Sequence, residues 1–221
     1  MLFSAAVTVL SAAQTTNYYN GCTATCGAAS TSLSSSNIAI RIGYALDACE
    51  NTNGPGNMCD IENWDVGAVD DLTQAFWVQP PFTADLNGWD VSEVTSMFMT
   101  FKGATSFDGD VSNWDVSEVI DMKEMFNGAS SFNGDVSNWD VSKVTDMGGM
   151  FVDALSFDGD LNNWDVSKVT IVYSMFDGAT SFTGDVSGWE VSKLTSMNSM
   201  FSGATSFSGD LNNWDVSNVY N

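Results

Sequence analysis

The feature that most constrains this chain is a tryptophan–acid pair that returns every 25 residues. The pairs begin at Trp64, Trp89, Trp114, Trp139, Trp164, Trp189 and Trp214. A fixed period between about 20 and 50 residues is typical of a solenoid, in which each unit buries its apolar face against the next unit. The repeats therefore occupy residues 60–221, and the tryptophans are predicted to stack as a structural core column.

Apolar residues recur within each repeat at positions 1, 3, 6, 9, 12, 13, 16, 19 and 23, counting the tryptophan as position 1. The spacing from position 9 to position 16 predicts a short helix or 3₁₀ turn with one face inward. Around the tryptophan a spacing of two predicts an extended segment, and Gly128 and Gly134 predict corners. We therefore expect a right-handed α/β solenoid of about six coils, with short parallel strands and short helices or 3₁₀ turns.

The two ends of the repeat array differ from its middle. The first coil, from Asp60 to about Ala84, departs from the pattern, and the last repeat contains only the eight residues from Trp214. Before the array, Asn37 is a candidate N-cap for a helix over about residues 38–49, although the run from Asn37 also alternates like a strand. In either form this segment is expected to cap the first coil. Because no comparable cap follows Asn221, self-association through the C-terminal end is expected.

The charge of the chain restricts its partners. Six Lys and Arg residues face 28 Asp and Glu residues, for a net charge of −22, and there is no histidine. Nucleic acids and anionic membranes attract basic patches, so neither is an expected partner. Cations and basic surfaces are the natural electrostatic partners of such a chain.

The first 59 residues read differently from the repeats. Residues 1–13 form an apolar run that ends in small residues, typical of a signal peptide and too short to span a bilayer. Residues 14–59 form a linker and cap region that contains all four cysteines, Cys22, Cys26, Cys49 and Cys59. An even number of clustered cysteines predicts disulfides and an extracellular or cell-surface location. We favour the pairs Cys22–Cys26 and Cys49–Cys59 among three pairings; a zinc site fits the spacing poorly.

The repeat consensus F-x-G-D-[VL]-[SN]-x-W-D-V-S-x-V-T-x-M-x-x-M-F-x-G-A resembles the 25-residue repeat of BspA-family leucine-rich-repeat surface proteins. This variant is known as a domain of unknown function in mycoplasma-type lipoproteins. The resemblance covers residues 60–221, while the cysteine region and the absence of a lipobox depart from it. It implies a leucine-rich-repeat-like solenoid, secretion or surface display, and adhesion or partner binding, and it supplies no catalytic residues.

Acidic residues form two predicted rows along the stack. The row at position 22 contains Asp85, Asp110, Asp135, Asp160, Asp185 and Asp210. The row at position 2 contains Asp65, Asp90, Asp115, Asp140, Asp165, Glu190 and Asp215. Like charges about 5 Å apart repel, so each Asp must either cap backbone amides of its own turn or share a bound Ca²⁺ with its neighbours. Calcium is accordingly the one possible cofactor, along the position-22 row.

Three further polar rows are candidate binding surfaces. Position 5 holds Glu93, Glu118, Lys143, Lys168 and Lys193, which reads first as a solvated face with salt bridges and otherwise as a docking stripe. Hydroxyl rows at Ser92, Ser117, Ser142, Ser167 and Ser192, and at Ser112, Ser137 and Ser187, could form a flat array that binds ice.

Catalysis is not expected of this sequence. Nucleophilic catalysis needs a base beside Ser or Cys, and only carboxylates stand near the repeat serines. Paired carboxylates of a glycosidase need unequal environments, which near-identical coils do not offer. We therefore expect a secreted or cell-surface interaction module for a protein or glycan. The alternatives are a structural stacking unit of an extracellular layer or filament, and an ice-binding protein.

Overall fold

The computed structural model describes residues 33–36, 38–39, 42–43, 61–77 and 82–220. Residues 32–221 form one compact unit. The predicted signal peptide and all four cysteines lie outside the described residues, so their predictions remain open. Within the predicted cap, residues 38, 39, 42 and 43 are helical, and Ile38 and Ile42 are buried in the same apolar core as the first coil.

Successive repeats stack in register, one coil upon the next. Isolated parallel bridges join position 8 of neighbouring coils at Asp71–Ser96, Ser96–Asp121, Asp121–Asp146, Asp146–Ile171 and Ile171–Ser196. In the repeat region that the structure describes, no strand is longer than these single bridges. The one short helix there is the 3₁₀ helix Ile61–Asn63, which precedes Trp64. Whether this stack is a right-handed leucine-rich-repeat solenoid stays a prediction.

Consecutive β-turns take the place of the helix that was expected from position 9 to position 16. In the coil that begins at Trp114, amides bond to carbonyls three residues earlier in the pairs Val111–Trp114, Val116–Val119, Met122–Met125, Phe126–Ala129 and Ala129–Phe132. A β-turn brings its first and fourth residues close together, so both side chains enter the core. The apolar spacing of three therefore marks turn ends. A helix has nearly the same spacing, so the sequence could not distinguish the short helix from the turn that it predicted as alternatives.

The turns leave alternate amides free to join the coils. Amides at positions 9, 11, 13 and 15 donate to carbonyls of the next coil, as in Glu124 to Gly148 at 2.9 Å and Gly128 to Val152 at 2.7 Å. This alternation requires left-handed backbone at position 11, where φ is +55° at Glu124 and +57° at Ser199. Position 15 is also left-handed and is glycine in most coils, as at Gly128. Every one of these amides points toward the C-terminal side of its coil.

We expect a glycine scan of one exposed turn to reveal the strain at position 11. Ser199 has a φ of +57°, whereas Ser202, three residues later, is not left-handed, and both side chains are exposed. Ser202→Gly should lower the free energy of unfolding by about 0.5–1 kcal/mol, because glycine gains more freedom on unfolding. Ser199→Gly has the same cost but also relieves the strain of left-handed backbone, which is worth about 1 kcal/mol and should offset that loss. Urea unfolding compares the two variants, and equal losses would contradict the turn geometry.

Aromatic side chains fill the core in three columns, and the two phenylalanine columns are continuous from Phe76 to Phe201 and from Phe82 to Phe207. The indoles of Trp114 and Trp139 lie 6.3 Å apart with an interplanar angle of 4°. Phenylalanines at positions 13 and 19 stack within a coil, as Phe126 and Phe132 do at 3.9 Å, and also between coils, as Phe126 and Phe151 do at 5.6 Å. These side chains are almost completely buried, so the stack has one core from the first coil to the last.

The tryptophans of the column from Trp89 onward also tie each coil to the previous one through a hydrogen bond. The indole N–H of Trp139 donates to the Val111 carbonyl at 3.1 Å, and that of Trp164 donates to the Val136 carbonyl at 3.0 Å. The same bond recurs at Trp89, Trp114, Trp189 and Trp214. The carbonyl that accepts it also accepts an amide of its own turn, so both lone pairs are used. The tryptophans from Trp89 to Trp214 are buried and have a polar role that the sequence did not suggest.

The last full coil, which begins at Trp189, has a more exposed core than the coils before it. Phe201 and Phe207 are half-buried, whereas Phe176 and Phe182 one coil earlier are fully buried. Because the amides that join the coils point toward the C-terminal side, the C-terminal face of this last coil presents amide donors. Two such faces placed together would set donor against donor, so edge pairing of this kind favours a head-to-tail over a tail-to-tail contact. Self-association through this end stays a prediction.

Candidate functional site on the variable face

The position-22 row caps turns of its own coil. Each carboxylate accepts the amide two residues later; Asp110 accepts Ser112 and Asp135 accepts Ser137, both at 2.9 Å. The other members make the same contact at 2.9–3.0 Å. This is the Asx-turn geometry that the sequence analysis set against calcium binding.

The position-2 row makes the same type of cap on the following turn. Asp140 accepts the Ser142 amide at 3.0 Å, and Asp165 accepts the Ser167 amide at 3.0 Å. Hydrogen bonds from the side chain of Ser167 and then from its amide hold the pKa of Asp165 below its ordinary value. The pKa is lowered in the same way at Asp90, Asp140, Glu190 and Asp215 of this row, and at Asp185 of the position-22 row. The repeated Asp-x-Ser pattern therefore stabilises the turns while ionised.

Calcium binding by the position-22 row stays a prediction. Across the described ranges, no group of three or more acidic or cysteine side chains lies close enough to hold a metal ion. If the row only caps turns, the melting temperature should rise equally in CaCl₂ and NaCl at matched ionic strength, because both salts screen the acidic rows alike. Differential scanning calorimetry tests this, and a larger rise in millimolar CaCl₂ would support bridging by Ca²⁺.

The position-5 row is exposed and mostly charged. Lys143 and Glu118 pair at 2.6 Å, with 44% and 54% of their side chains exposed. Exposed pairs of this kind contribute about 0–1 kcal/mol, so the row is a solvated face.

The predicted serine rows donate their backbone amides to the acidic residues that cap the turns. A separate threonine row at position 7, missed in the sequence analysis, donates to the preceding coil through Thr95, Thr145, Thr170 and Thr195.

Sequence differences between coils concentrate on one face, formed by positions 8, 10, 11 and 14, which we call the variable face. From the first coil to the sixth, position 10 carries Thr73, Phe98, Lys123, Gly148, Tyr173 and Asn198. Position 14 carries Trp77, Lys102, Asn127, Val152, Asp177 and Ser202. No residue type recurs at either position. The coils therefore share one backbone scaffold and differ in the side chains of the variable face, which lies beside the hydrogen bonds that join one coil to the next.

Three half-buried residues form a compact group on the variable face, which we call the aromatic–lysine cluster: Phe98, Lys123 and Tyr173. The Lys123 ammonium lies 5.9 Å from the Phe98 ring centroid and 5.6 Å from the Tyr173 ring centroid. Both distances are within the range of cation–π attraction. A hydrogen bond to the Tyr173 side chain raises the pKa of Lys123, so the ammonium stays charged.

Gly148 makes this arrangement possible. Tyr173 is two coils from Lys123, and its ring reaches back across Gly148, which stands between them in the same column. A Cβ on Gly148 would lie 2.5 Å from the Tyr173 Cε1, closer than atoms approach. Because Gly148 has no side chain, the Tyr173 ring of the next coil has room to lie across this position of the variable face.

Acidic residues surround the aromatic–lysine cluster. Glu124 forms an ion pair with Lys102. Asp121 and Asp146 accept the amides of Lys123 and Gly148 at 2.9 and 2.8 Å. Burial raises the pKa of Asp146 above its ordinary value, and repulsion from Asp121 adds to the shift. Asp146 is thus an acid whose charge the fold disfavours, in contrast to the capping acids.

Opposite pKa shifts give Asp146→Asn and Asp165→Asn opposite expected effects. At pH 7, Asp146→Asn should raise the melting temperature, because it removes a charge that burial disfavours; the gain should vanish as pH falls through the folded pKa of Asp146, which lies above 3.8. Asp165→Asn should lower the melting temperature at pH 7, with the loss disappearing as pH falls below 3.8. Circular dichroism melts from pH 7 to pH 3 test both signs. Parallel pH profiles would show that the two environments do not differ.

The variable face was not predicted from the sequence, because positions 10, 11 and 14 lie between the apolar positions that the repeat pattern emphasises. The repeat alignment did contain a usable sign of it. The surface rows at positions 2 and 22 hold an acidic residue in every coil, whereas positions 10 and 14 never repeat a residue type. The residues predicted as sites instead lie in the repeating rows that cap turns.

These features define a class: a repeat protein with a uniform, internally bonded scaffold and one face on which side chains vary. A family profile described as "Mycoplasma protein of unknown function, DUF285" matches residues 45–157 and 134–221. The chain therefore belongs to this family. Neither the curated proteins nor the solved structures contain a match to it. Among the helices of the described residues, none is long and apolar enough to cross a membrane.

Proposed function

We propose that this protein is a secreted or cell-surface, non-catalytic interaction module that binds its partner through the variable face. The observation that carries the proposal is the contrast between faces. Positions that cap turns or fill the core hold the same or a similar residue in most coils, while positions 10 and 14 carry six different residues in six coils. A repeat scaffold presents such a face as an extended binding surface.

The chemistry of the variable face supports binding and not catalysis. Its acids cap backbone amides or pair with lysine, as Asp146 and Glu124 do, and the protein has no histidine. No reacting pair of nucleophile and base is formed there by the described residues. The finer assignment within the family, to leucine-rich-repeat surface proteins of the BspA type, agrees with this role and is part of the proposal.

A binding assay with a matched control tests the proposed function. Labelled protein is applied to microbial cells, animal cells and a glycan microarray, with and without calcium. The test variant replaces six face residues by those of the last coil: Phe98→Asn, Met99→Ser, Lys123→Asn, Glu124→Ser, Val152→Ser and Tyr173→Asn. The control variant changes Lys143, Lys168 and Lys193 of the position-5 row to Asn. We expect binding that the test variant loses and the control retains. Binding to none of these surfaces would contradict the proposal.

The two alternative functions have different expected results. A structural stacking unit would assemble into layers or filaments that electron microscopy detects, with no dependence on the variable face. Ice binding would produce thermal hysteresis. The ordered threonine row at position 7 is better suited to it than the predicted serine rows, because Thr145 and Thr170 hold their hydroxyls in register by donating to the preceding coil at 3.3 and 3.2 Å. Ile120 interrupts that row and is 49% exposed.

A further inference from the structure

The aromatic–lysine cluster has the composition of a protein-binding centre. Aromatic residues and methionine are enriched at the centres of protein interfaces, where a few side chains supply most of the binding energy. Phe98, Met99 and Tyr173 are all half-buried on the variable face, neither part of the core nor fully solvated. Val152 and Ile171, also half-buried, extend the apolar surface around them.

The polar groups of this region are already engaged within the protein. Lys123 lies against the two rings, Lys102 pairs with Glu124, and Asp146 accepts a backbone amide. Glycan sites depend on placed polar groups that bond to sugar hydroxyls. Here those groups would have to leave present partners, which costs free energy. The arrangement therefore favours a ligand that contacts the cluster through apolar area.

The cluster is also held in place before any partner arrives. The Tyr173 ring lies across Gly148, and Lys123 bridges it to Phe98. Side chains that are ordered in the free protein lose little conformational entropy on binding, which strengthens association. The aromatic–lysine cluster is therefore one prearranged patch and not a set of independent side chains.

The charge around the patch restricts what can approach it. The protein carries a net charge of −22, and Asp121, Asp146 and Glu124 lie beside the cluster. An acidic surface would be repelled, while a basic one would be attracted and oriented during encounter.

We propose that Phe98, Lys123 and Tyr173 form the centre of a docking surface for a protein that presents an apolar spot with a basic rim. This inference rests on the proposed function and adds the location and the chemistry of the partner. Glycans, in contrast, are expected to bind weakly or not at all at this place.

Selection from a random peptide library displayed on phage tests this inference without knowledge of the natural partner. Enriched peptides should combine apolar residues with Lys or Arg. As synthetic peptides, they should bind Tyr173→Ala and Phe98→Ala at least about tenfold more weakly than the unmodified protein, as residues at interface centres do. Exchanging their Lys and Arg for Glu should abolish binding. A glycan microarray probed in parallel should show no signal that depends on Tyr173.

Tyr220→Ala and Lys168→Ala are the matched controls, since Tyr220 is 78% exposed, Lys168 is exposed, and neither lies on the variable face. Thermal melts establish that all variants are folded. Peptides that bind Tyr173→Ala as well as the unmodified protein, acidic peptides, or no enriched peptide would overturn the inference. So would a glycan signal that Tyr173→Ala removes.

The enriched peptide then serves as a competitor in the cell-binding assay, which separates the two proposals. If natural binding occurs and the peptide does not compete, the docking centre is wrong while the proposed function stands. If no natural surface binds although the peptide does, the proposed function is wrong while the docking centre stands.

Discussion

Trp139→Ala is expected to lower the free energy of unfolding by about 3–5 kcal/mol, the usual cost of deleting a buried aromatic side chain. Trp139 is almost fully buried, stacks on Trp114 at 6.3 Å and donates its indole N–H to the Val111 carbonyl at 3.1 Å. It lies in a middle coil and also stacks on Phe126, so its loss weakens the contacts with the preceding coil. In a repeat protein stability is close to a sum of such neighbour contacts, so the whole stack is affected.

Two comparisons divide this effect into its parts. Trp139→Phe keeps an aromatic ring but removes the indole N–H, and should cost about 1–3 kcal/mol, less than the alanine variant. Trp214→Ala should cost less than Trp139→Ala, because Trp214 is more exposed and stacks on Trp189 alone among the described residues, whereas Trp139 stacks on both Trp114 and Phe126. Urea unfolding followed by circular dichroism measures all three. Equal losses at Trp139 and Trp214 would contradict a stack held by contacts between neighbouring coils.

Gly109→Ala is expected to be the most damaging change of a single methyl group, at about 3 kcal/mol or more, beyond the usual range for overpacking. A Cβ at Gly109 would lie 1.9 Å from the Ala84 carbonyl oxygen in the preceding coil and 2.7 Å from Phe107 Cε2. Backbone atoms on both sides are fixed by the stacking of the coils, so the clash cannot be relieved locally. The coils must separate at this corner or the Phe107 ring must leave its column.

Gly159 and Gly188 provide a graded control series. At Gly159 the nearest atoms belong to the Phe157 ring, with the closest at 2.8 Å, so Gly159→Ala should cost less than Gly109→Ala. Gly188 has no atom within 4 Å of an added Cβ. Gly188→Ala should therefore leave stability unchanged or raise it by up to about 1 kcal/mol, because alanine restricts the unfolded chain. Chemical denaturation ranks the three variants, and a similar loss at Gly188 would show that clash is not the cause.

Much of the coil could be predicted from the sequence. The period of 25 residues located every tryptophan of the core column. The recurring apolar positions of the repeat are buried in the middle coils. The capping interpretation of the position-22 acids matches the observed bonds, such as Asp135 to Ser137. These features were readable because each depends on contacts within one repeat or between identical repeats, and the pattern states them several times.

The conformation of positions 9 to 16 could not be read in this way. A helix and a chain of β-turns bury residues at nearly the same spacing. The residues with left-handed backbone at position 11, such as Met99 and Glu124, are not of the types that favour this conformation. The choice is made by hydrogen bonds between coils. Turns leave alternate amides available to the next coil, whereas a helix would use them all within its own coil.

The sequence by itself therefore determined the repeat length, the residues that fill the core and the acids that cap the turns. Only the tertiary structure decided that the coil is made of turns and that Phe98, Lys123 and Tyr173 meet on one face. These residues are 25 and 50 positions apart, and their meeting depends on Tyr173 reaching across Gly148. A repeat pattern records what the coils share, whereas this cluster arises from what they do not share.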